Sequence, residues 1–366
     1  MPFARRQLLA GALAAGGAAF ARRAAGESQA PGRSRAVVID THAHYYPADW
    51  VDLVQREGPA NGAKIGKNAR GEPSFSVPGI DAFFAPPYID LDIRLKKMEA
   101  QGVDVQALSL TSPMVYWAPA AFGLKLSQVY NDGASAAHVK HSKRFVAMAT
   151  LPMQAPDLAK KELERTAGLP GMRGLYLGTN VRGKNLDERE FFPIYARCEE
   201  MRWPIFLHPV DPVGADRMGR YYLRNLLGNP YDTGIAAASL VFGDVMDKFP
   251  RLEVMLPHAG GAFPGLIGRL DQGARVRAEN KHLKELPSTY LRRFHYDTIG
   301  HNNAVLVNLI RQVGADRVVL GSDYTFDMGY EKPVEVVEKL GELSARERNL
   351  ILGENAARLL KISVSV

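Results

Sequence analysis

Short apolar or β-branched runs recur along the chain, with charge-flecked segments between them: Val37 to Asp40, Val103 to Leu110, Phe145 to Leu151, Gly171 to Leu177, Pro204 to Leu207, Leu252 to Leu256, Phe294 to Ile299 and Val318 to Leu320. These are eight candidate strands. The segments between them carry helix patterns. Ile93 to Gln101 stops at Gly102, Ala304 to Val313 at Gly314, and Glu335 to Leu340 at Gly341. A glycine just past the last turn is the residue best able to leave a helix in a left-handed conformation. Strands alternating with helices imply parallel βαβ units, and eight of them fit a closed (β/α)8 barrel better than an open sheet. The expectation is one barrel domain over residues 36–366.

One stretch breaks the alternation. From Tyr45 to Tyr88 the chain is rich in Gly and Pro and has little periodicity. Long loops in compact domains usually serve function, so this segment is expected to form a lid or wall over the active site. No internal repeat, heptad pattern or low-complexity tract stands out in the body.

Residues 1–35 read as a leader: a basic start at Arg5-Arg6, an apolar small-residue run from Leu8 to Phe20, then small residues open to trimming. The run is too short to span a bilayer, and Arg-Arg followed by Gln7-Leu8-Leu9 resembles a twin-arginine export signal. That route carries folded, cofactor-loaded proteins, so a periplasmic or exported location is expected, or a cytoplasmic one if the leader does not function. The lone cysteine, Cys198, permits no intrachain disulfide and says nothing of compartment.

Charge changes the picture only by subtraction. The formal net charge is +7, but residues 1–36 hold six arginines against the single acid Glu27, which leaves the body near +2. So small a bias gives no footing for nucleic-acid binding through counterion release. At 46% hydrophobic and 23% charged residues, the chain has the material for a large core and no disorder signature.

The chemistry begins at Asp40-Thr41-His42-Ala43-His44, where two histidines separated by one residue close the first strand and point to one side of it. His208 closes the fifth run, His258 the sixth and Asp323 the eighth. In a parallel barrel the C-terminal strand ends converge on one face, so these five side chains would meet in one pocket. Imidazoles with a carboxylate suit one divalent metal, zinc above all, with a coordination position left open.

Several longer segments are more specific: Gly102-Val103-Asp104-Val105-Gln106-Ala107-Leu108-Ser109, Thr150-Leu151-Pro152-Met153-Gln154-Ala155-Pro156, His258-Ala259-Gly260-Gly261-Ala262-Phe263-Pro264 with Gly268-Arg269, and Leu320-Gly321-Ser322-Asp323-Tyr324. Through them the chain, from about Val37 to Leu360, resembles the amidohydrolase superfamily and, within it, the aminocarboxymuconate-semialdehyde decarboxylase-like branch. The resemblance implies that His42, His44, His208 and Asp323 hold the metal and that His258 works as acid/base. It also implies nonoxidative decarboxylation of a small unsaturated or aromatic carboxylic acid. In that scheme water activated by the metal and His258 adds to the substrate before CO2 leaves, and Asp323 can shuttle the proton as well as ligate. Hydrolysis or hydration of a lactone on the same centre is the alternative, and a metal-retaining binding protein a more distant one.

The family holds the substrate carboxylate with arginines, one lent by a neighbouring subunit, so a homodimer is implied. Arg277 matches the lent arginine. The other is replaced here by Ser76, the aromatic residue after the strand-five His-Pro is Val210, and Tyr222 and Asn225 stand where the decarboxylase type has tryptophans. The substrate pocket is therefore expected to differ in shape. His301, just past the seventh run, is expected at the barrel mouth, within reach of substrate. His138 and His141 read as a solvated helix face, and Cys198 as a buried apolar thiol.

Overall fold

The structure is a computed structural model in which residues 36–68, 71–78 and 80–363 are described. The expected export leader lies outside the described residues. Among the described residues eleven strands run in chain order: β1 (Ile39–His44), β2 (Lys64–Lys67), β3 (Pro73–Val77), β4 (Ile80–Phe83), β5 (Val105–Ser109), β6 (Phe145–Ala149), β7 (Met172–Gly178), β8 (Ile205–His208), β9 (Val254–Leu256), β10 (Phe294–Asp297) and β11 (Val318–Val319).

All eight expected strands form, and they join in one sheet ordered β1-β5-β6-β7-β8-β9-β10-β11, each strand parallel to its neighbour. The ring is bridged back to its start just beyond β11. Thr41 N donates to Leu320 O and Asp323 N to His42 O, each at 2.9 Å, and Ala43 bridges Tyr324. This is a (β/α)8 barrel. Every residue of β1, β5, β6 and β8 is buried, as strands with side chains in the barrel on one face and under helices on the other must be.

Local signals placed the helices. Leu91–Gln101 starts where the Asp90 side chain accepts from the amides of Asp92 and Ile93 at 2.8 and 3.0 Å, and it ends at Gly102 with φ +73°. Asn302 caps Asn303–Val313 in the same way, with Gly314 at φ +87° after it. The third expected glycine stop fails: Pro333–Glu338 ends at Lys339, two residues before Gly341, and the turn buries Leu340. No helix among the described residues is long and apolar enough to cross a membrane.

The stretch after β1 is more ordered than its composition implied. It holds the helix Ala48–Glu57 and an antiparallel meander, β2-β3-β4, outside the barrel sheet. Aromatic stacking binds it together, with Tyr46 on Trp50 at 5.2 Å and Phe75 on Phe84 at 5.1 Å between ring centres. Strands of four or five residues carrying at most two buried side chains each are too short to show a period. His138 also departs from expectation. It is half-buried on the helix Ala120–Lys140, with Nδ1 2.6 Å from the Phe145 carbonyl and its ring packed under Gly171. Packing against the neighbouring strand thus replaces the solvated face that a polar helix segment implied.

Candidate metal centre

Each functional side chain stands at or just past the C-terminal end of a strand. His42 and His44 come from β1, His208 from β8, His258 from the turn after β9 and Asp323 from the segment that follows β11. One ligand atom from each of His42, His44, His208 and Asp323 lies within 4.8 Å of all the others, and all four residues are buried.

The hydrogen bonds around the ring nitrogens fix what those imidazoles present. Nδ1 of His42 lies 2.8 Å from Asp297 Oδ2, a carboxylate that can only accept, so Nδ1 carries the hydrogen. Nδ1 of His208 lies 2.9 Å from the Pro209 carbonyl, with the same consequence. Nδ1 of His44 faces Ser109 Oγ at 3.2 Å, and that hydroxyl spends its own hydrogen on the Ala43 carbonyl at 3.0 Å. All three rings therefore turn an Nε2 lone pair toward the shared centre. Asp323 Oδ1 faces the same centre, 3.1 Å from His44 Nε2 and 3.4 Å from His42 Nε2.

Lone pairs pointed at one another in a buried space need a cation between them. His42 Nε2 is buried with no hydrogen-bond partner at all. Burial lowers the proton affinity of His44 to about 4 and that of His208 well below the usual histidine range, which favours the neutral ligand form. Asp323 is held well below the ordinary carboxylate range: burial acts upward, and its imidazole neighbours His258, His42 and His44 outweigh it. Three neutral imidazoles and one carboxylate fit a divalent ion.

His258 completes the group from one side. Its Nε2 lies 3.7 Å from Asp323 Oδ2, its side chain is 16% exposed, and its Nδ1 is buried without a partner. The adjoining cavity, about 470 Å³, is lined by His208, His258 and Asp323, by the rings of Tyr46, Phe83, Tyr88, Tyr222 and Phe326, and by Ser112, Arg224, Asn225 and Asn229. The segment after β1 thus supplies one wall of it. Arg224, the one lining cation among the described residues, pairs with Asp211 at 2.8 Å.

The remaining expected contacts divide. His301 lines a second depression together with His258, Asp323 and Asn225, and its ring packs on Tyr330 at 5.0 Å. Ser76 lies in β3 and opens onto a separate surface depression with Lys64, Asn68 and Asp81. Val210 is buried beside Gly178. Arg277 follows the helix Phe263–Val276, exposed and paired with Glu279 at 2.7 Å. Sequence reasoning passed over Asp297, although it ends β10 as the histidines end their strands, and over Ser109, Thr111 and Tyr176 around the imidazoles.

Comparison with known proteins shows the family. The chain is 33% identical over 334 residues to the 2-amino-3-carboxymuconate-6-semialdehyde decarboxylase of Dictyostelium discoideum, covering 89% of this chain and 92% of that one. The crystal structure of 5-carboxyvanillate decarboxylase from Sphingomonas paucimobilis superposes with a TM-score of 0.78 at 25% identity, covering 90% of this chain and all of that one. The corresponding enzyme from Novosphingobium aromaticivorans, solved with manganese and 4-hydroxy-3-methoxy-5-nitrobenzoic acid, shares the fold at 23% identity and a TM-score of 0.76, covering 90% and 97%. The amidohydrolase family model matches residues 39–362, and the chain belongs to that family.

Proposed function

We propose that the protein is a metal-dependent carboxy-lyase that removes CO2 without oxidation from a small aromatic or unsaturated carboxylic acid. The observation that carries this reading is the convergence of three Nε2 lone pairs and Asp323 beside His258, at one end of a cavity whose volume suits a single-ring acid. The relatives that support it act on such acids. His42, His44, His208 and Asp323 would hold the ion, and when bound it supplies Lewis acidity, drawing electron density from an oxygen ligand and offsetting negative charge.

The chain's own groups do the rest. Tyr46, Tyr88 and Phe326 offer aromatic faces to a planar ring and exclude water from it. His258 delivers a proton to the ring or alkene carbon as the carbon–carboxylate bond breaks, so that the bond's electron pair ends in the new C–H bond and CO2 departs. Asp323 Oδ2, 3.7 Å from His258 Nε2, holds that imidazole toward the reacting carbon. Three imidazoles favour zinc, and metal analysis of protein loaded with zinc or with manganese separates the two.

The test offers metal-loaded protein a panel of hydroxybenzoic acids, muconate semialdehydes and lactones, following CO2 release and ring opening separately. CO2 release that His258→Ala abolishes while metal content stays at one per chain supports the reading. Lactone opening without CO2 release replaces it with hydrolysis. We infer in addition that Arg277 serves the cavity of a second copy in a homodimer. Mixing Arg277→Ala with His258→Ala protein restores activity if it does, and no rescue refutes the sharing. Export through Arg5-Arg6 is tested by secretion of a reporter fusion that Arg5→Lys with Arg6→Lys abolishes.

A further inference from the structure

Asp297 is fully buried, and both of its oxygens are used twice. Oδ2 accepts from His42 Nδ1 at 2.8 Å and from the backbone N–H of His258 at 3.0 Å. Oδ1 accepts from the backbone N–H groups of Ala259 at 2.9 Å and Ile299 at 3.0 Å. Asp323 reaches the Nε2 atoms of both His42 and His258 from the metal side, whereas Asp297 holds His42 from behind, at Nδ1, together with the backbone of the turn that carries His258.

That turn is strained. His258, Ala259, Gly260 and Gly261 follow one another at φ +53°, +54°, +82° and +56°, a left-handed run that residues with a Cβ adopt reluctantly. The first two N–H groups of the run, those of His258 and Ala259, both point at one anion. That anion is the Asp297 carboxylate.

We propose that Asp297 is the positioning residue that ties the metal centre to the acid/base. It holds His42 in the tautomer whose Nε2 lone pair faces the ion, and through its hold on the His258–Ala259 turn it places the His258 ring over Asp323. The second half rests on the acid/base role given to His258 above; the first half does not. An amide at this position keeps the shape but replaces one accepting oxygen with an NH2 group, which must face either the His42–His258 pair of donors or the Ala259–Ile299 pair. Either orientation opposes donors to donors.

The test compares wild type, Asp297→Asn and His258→Ala. Zinc affinity is measured by competition with a chromophoric chelator, and kcat and KM are taken at saturating zinc. His258→Ala is expected to bind zinc as wild type does. Asp297→Asn is expected to bind it about 10- to 100-fold more weakly, and to keep a kcat at least about tenfold down once zinc is saturating, with KM little changed. Wild-type zinc affinity in Asp297→Asn, or full kcat at saturating zinc, overturns the proposal even if the decarboxylase reading stands. Should the variant not fold, 15N spectra of histidine in the metal-free wild type decide the first half. They are expected to show His42 protonated at Nδ1 and slow to exchange, and a ring protonated at Nε2 with Nδ1 bare overturns it. If no decarboxylase substrate is found, the affinity and tautomer measurements still decide the link to the metal.

Discussion

Removing the metal should cost the protein a measurable part of its stability, and the size follows from the ligand geometry. Without a cation, and at a pH where His42 is neutral, its Nε2 is a buried acceptor with no donor, and the lone pairs of His44 Nε2 and Asp323 Oδ1 confront each other at 3.1 Å. A buried unsatisfied polar group costs about 1–3 kcal/mol, so two such defects come to about 2–6 kcal/mol. Mass action reaches the same range from the other side, since free metal at about 100 to 1,000 times its Kd stabilises by about 2.7–4.1 kcal/mol. For a chain this long 1 kcal/mol moves Tm by about 2 °C, so chelation should lower it by about 4–12 °C. The assay is a thermal scan in chelator and in buffered zinc at several free concentrations, with Tm rising as the logarithm of free zinc. His208→Ala and Asp323→Asn should lose most of that dependence. A chelated wild type melting within about 1 °C of the zinc-saturated protein would refute the ligand geometry.

Three other consequences can be checked directly. A Cβ on Gly321 would stand 3.0 Å from the Cβ of Asp297 and 3.1 Å from that of His42, so Gly321→Ala should displace both residues by a few tenths of an ångström. Its zinc affinity is expected to fall about tenfold, and unchanged affinity counts against tight packing behind the ligands. In metal-free protein, burial depresses the proton affinities of His44 and His208, whereas for His42 burial is outweighed by its bond to Asp297 and the affinity rises. Against an unfolded value near 6.5, the two depressed groups make the unfolded chain the better proton acceptor below that pH, whereas His42, protonated in both states there, contributes only above it. Stability should then fall by about 2.7 kcal/mol per pH unit from pH 6.5 toward 4, as urea midpoints in chelator would show, and a flat or opposite slope refutes it. Burial pushes the Cys198 thiol up to about 12, so an alkylating reagent at pH 8 should leave the native protein unlabelled and modify it fully in denaturant.

The strand-end residues were legible because barrel geometry turns a one-dimensional pattern into a shared location. Any polar residue closing an apolar run comes to the same face, so His42, His44, His208, His258 and Asp323 could be gathered without knowing a distance. Asp297 obeys the same rule and was still passed over, because the apolar reading ran on through Thr298 to Ile299 and left the aspartate inside the run, where it no longer marked an end. The β2-β3-β4 meander was illegible for a different reason. Its stability lies in stacking among Tyr46, Trp50, Phe75, Phe84 and Tyr88, contacts between residues up to 42 positions apart that leave no local period. Ser76 and Arg277 sit on such excursions, and their distance from the cavity depends on how the excursion folds back.

The same division bears on how selectivity can vary. The ligands come from strand ends locked by barrel hydrogen bonds, as where Asp323 N donates to His42 O across the closing seam. The walls come from elsewhere: Tyr46, Phe83 and Tyr88 from the insertion after β1, Tyr222, Arg224 and Asn225 from the connection after β8, and Phe326 from the loop after β11. Tyr221 and Tyr222 both hold φ +59°, and Arg224–Gly228 is a π-helical turn, so the wall after β8 is irregular backbone held by its surroundings rather than by a repeating ladder. A wall substitution alters how a ring is gripped and leaves the metal's coordination intact, so it should appear mainly in KM. A ligand or Asp297 substitution removes the charge arrangement common to every substrate. Tyr222→Trp should therefore change the order of preference among acids while zinc affinity stays put, and a matching loss of zinc would show that walls and ligands are not separable in this barrel.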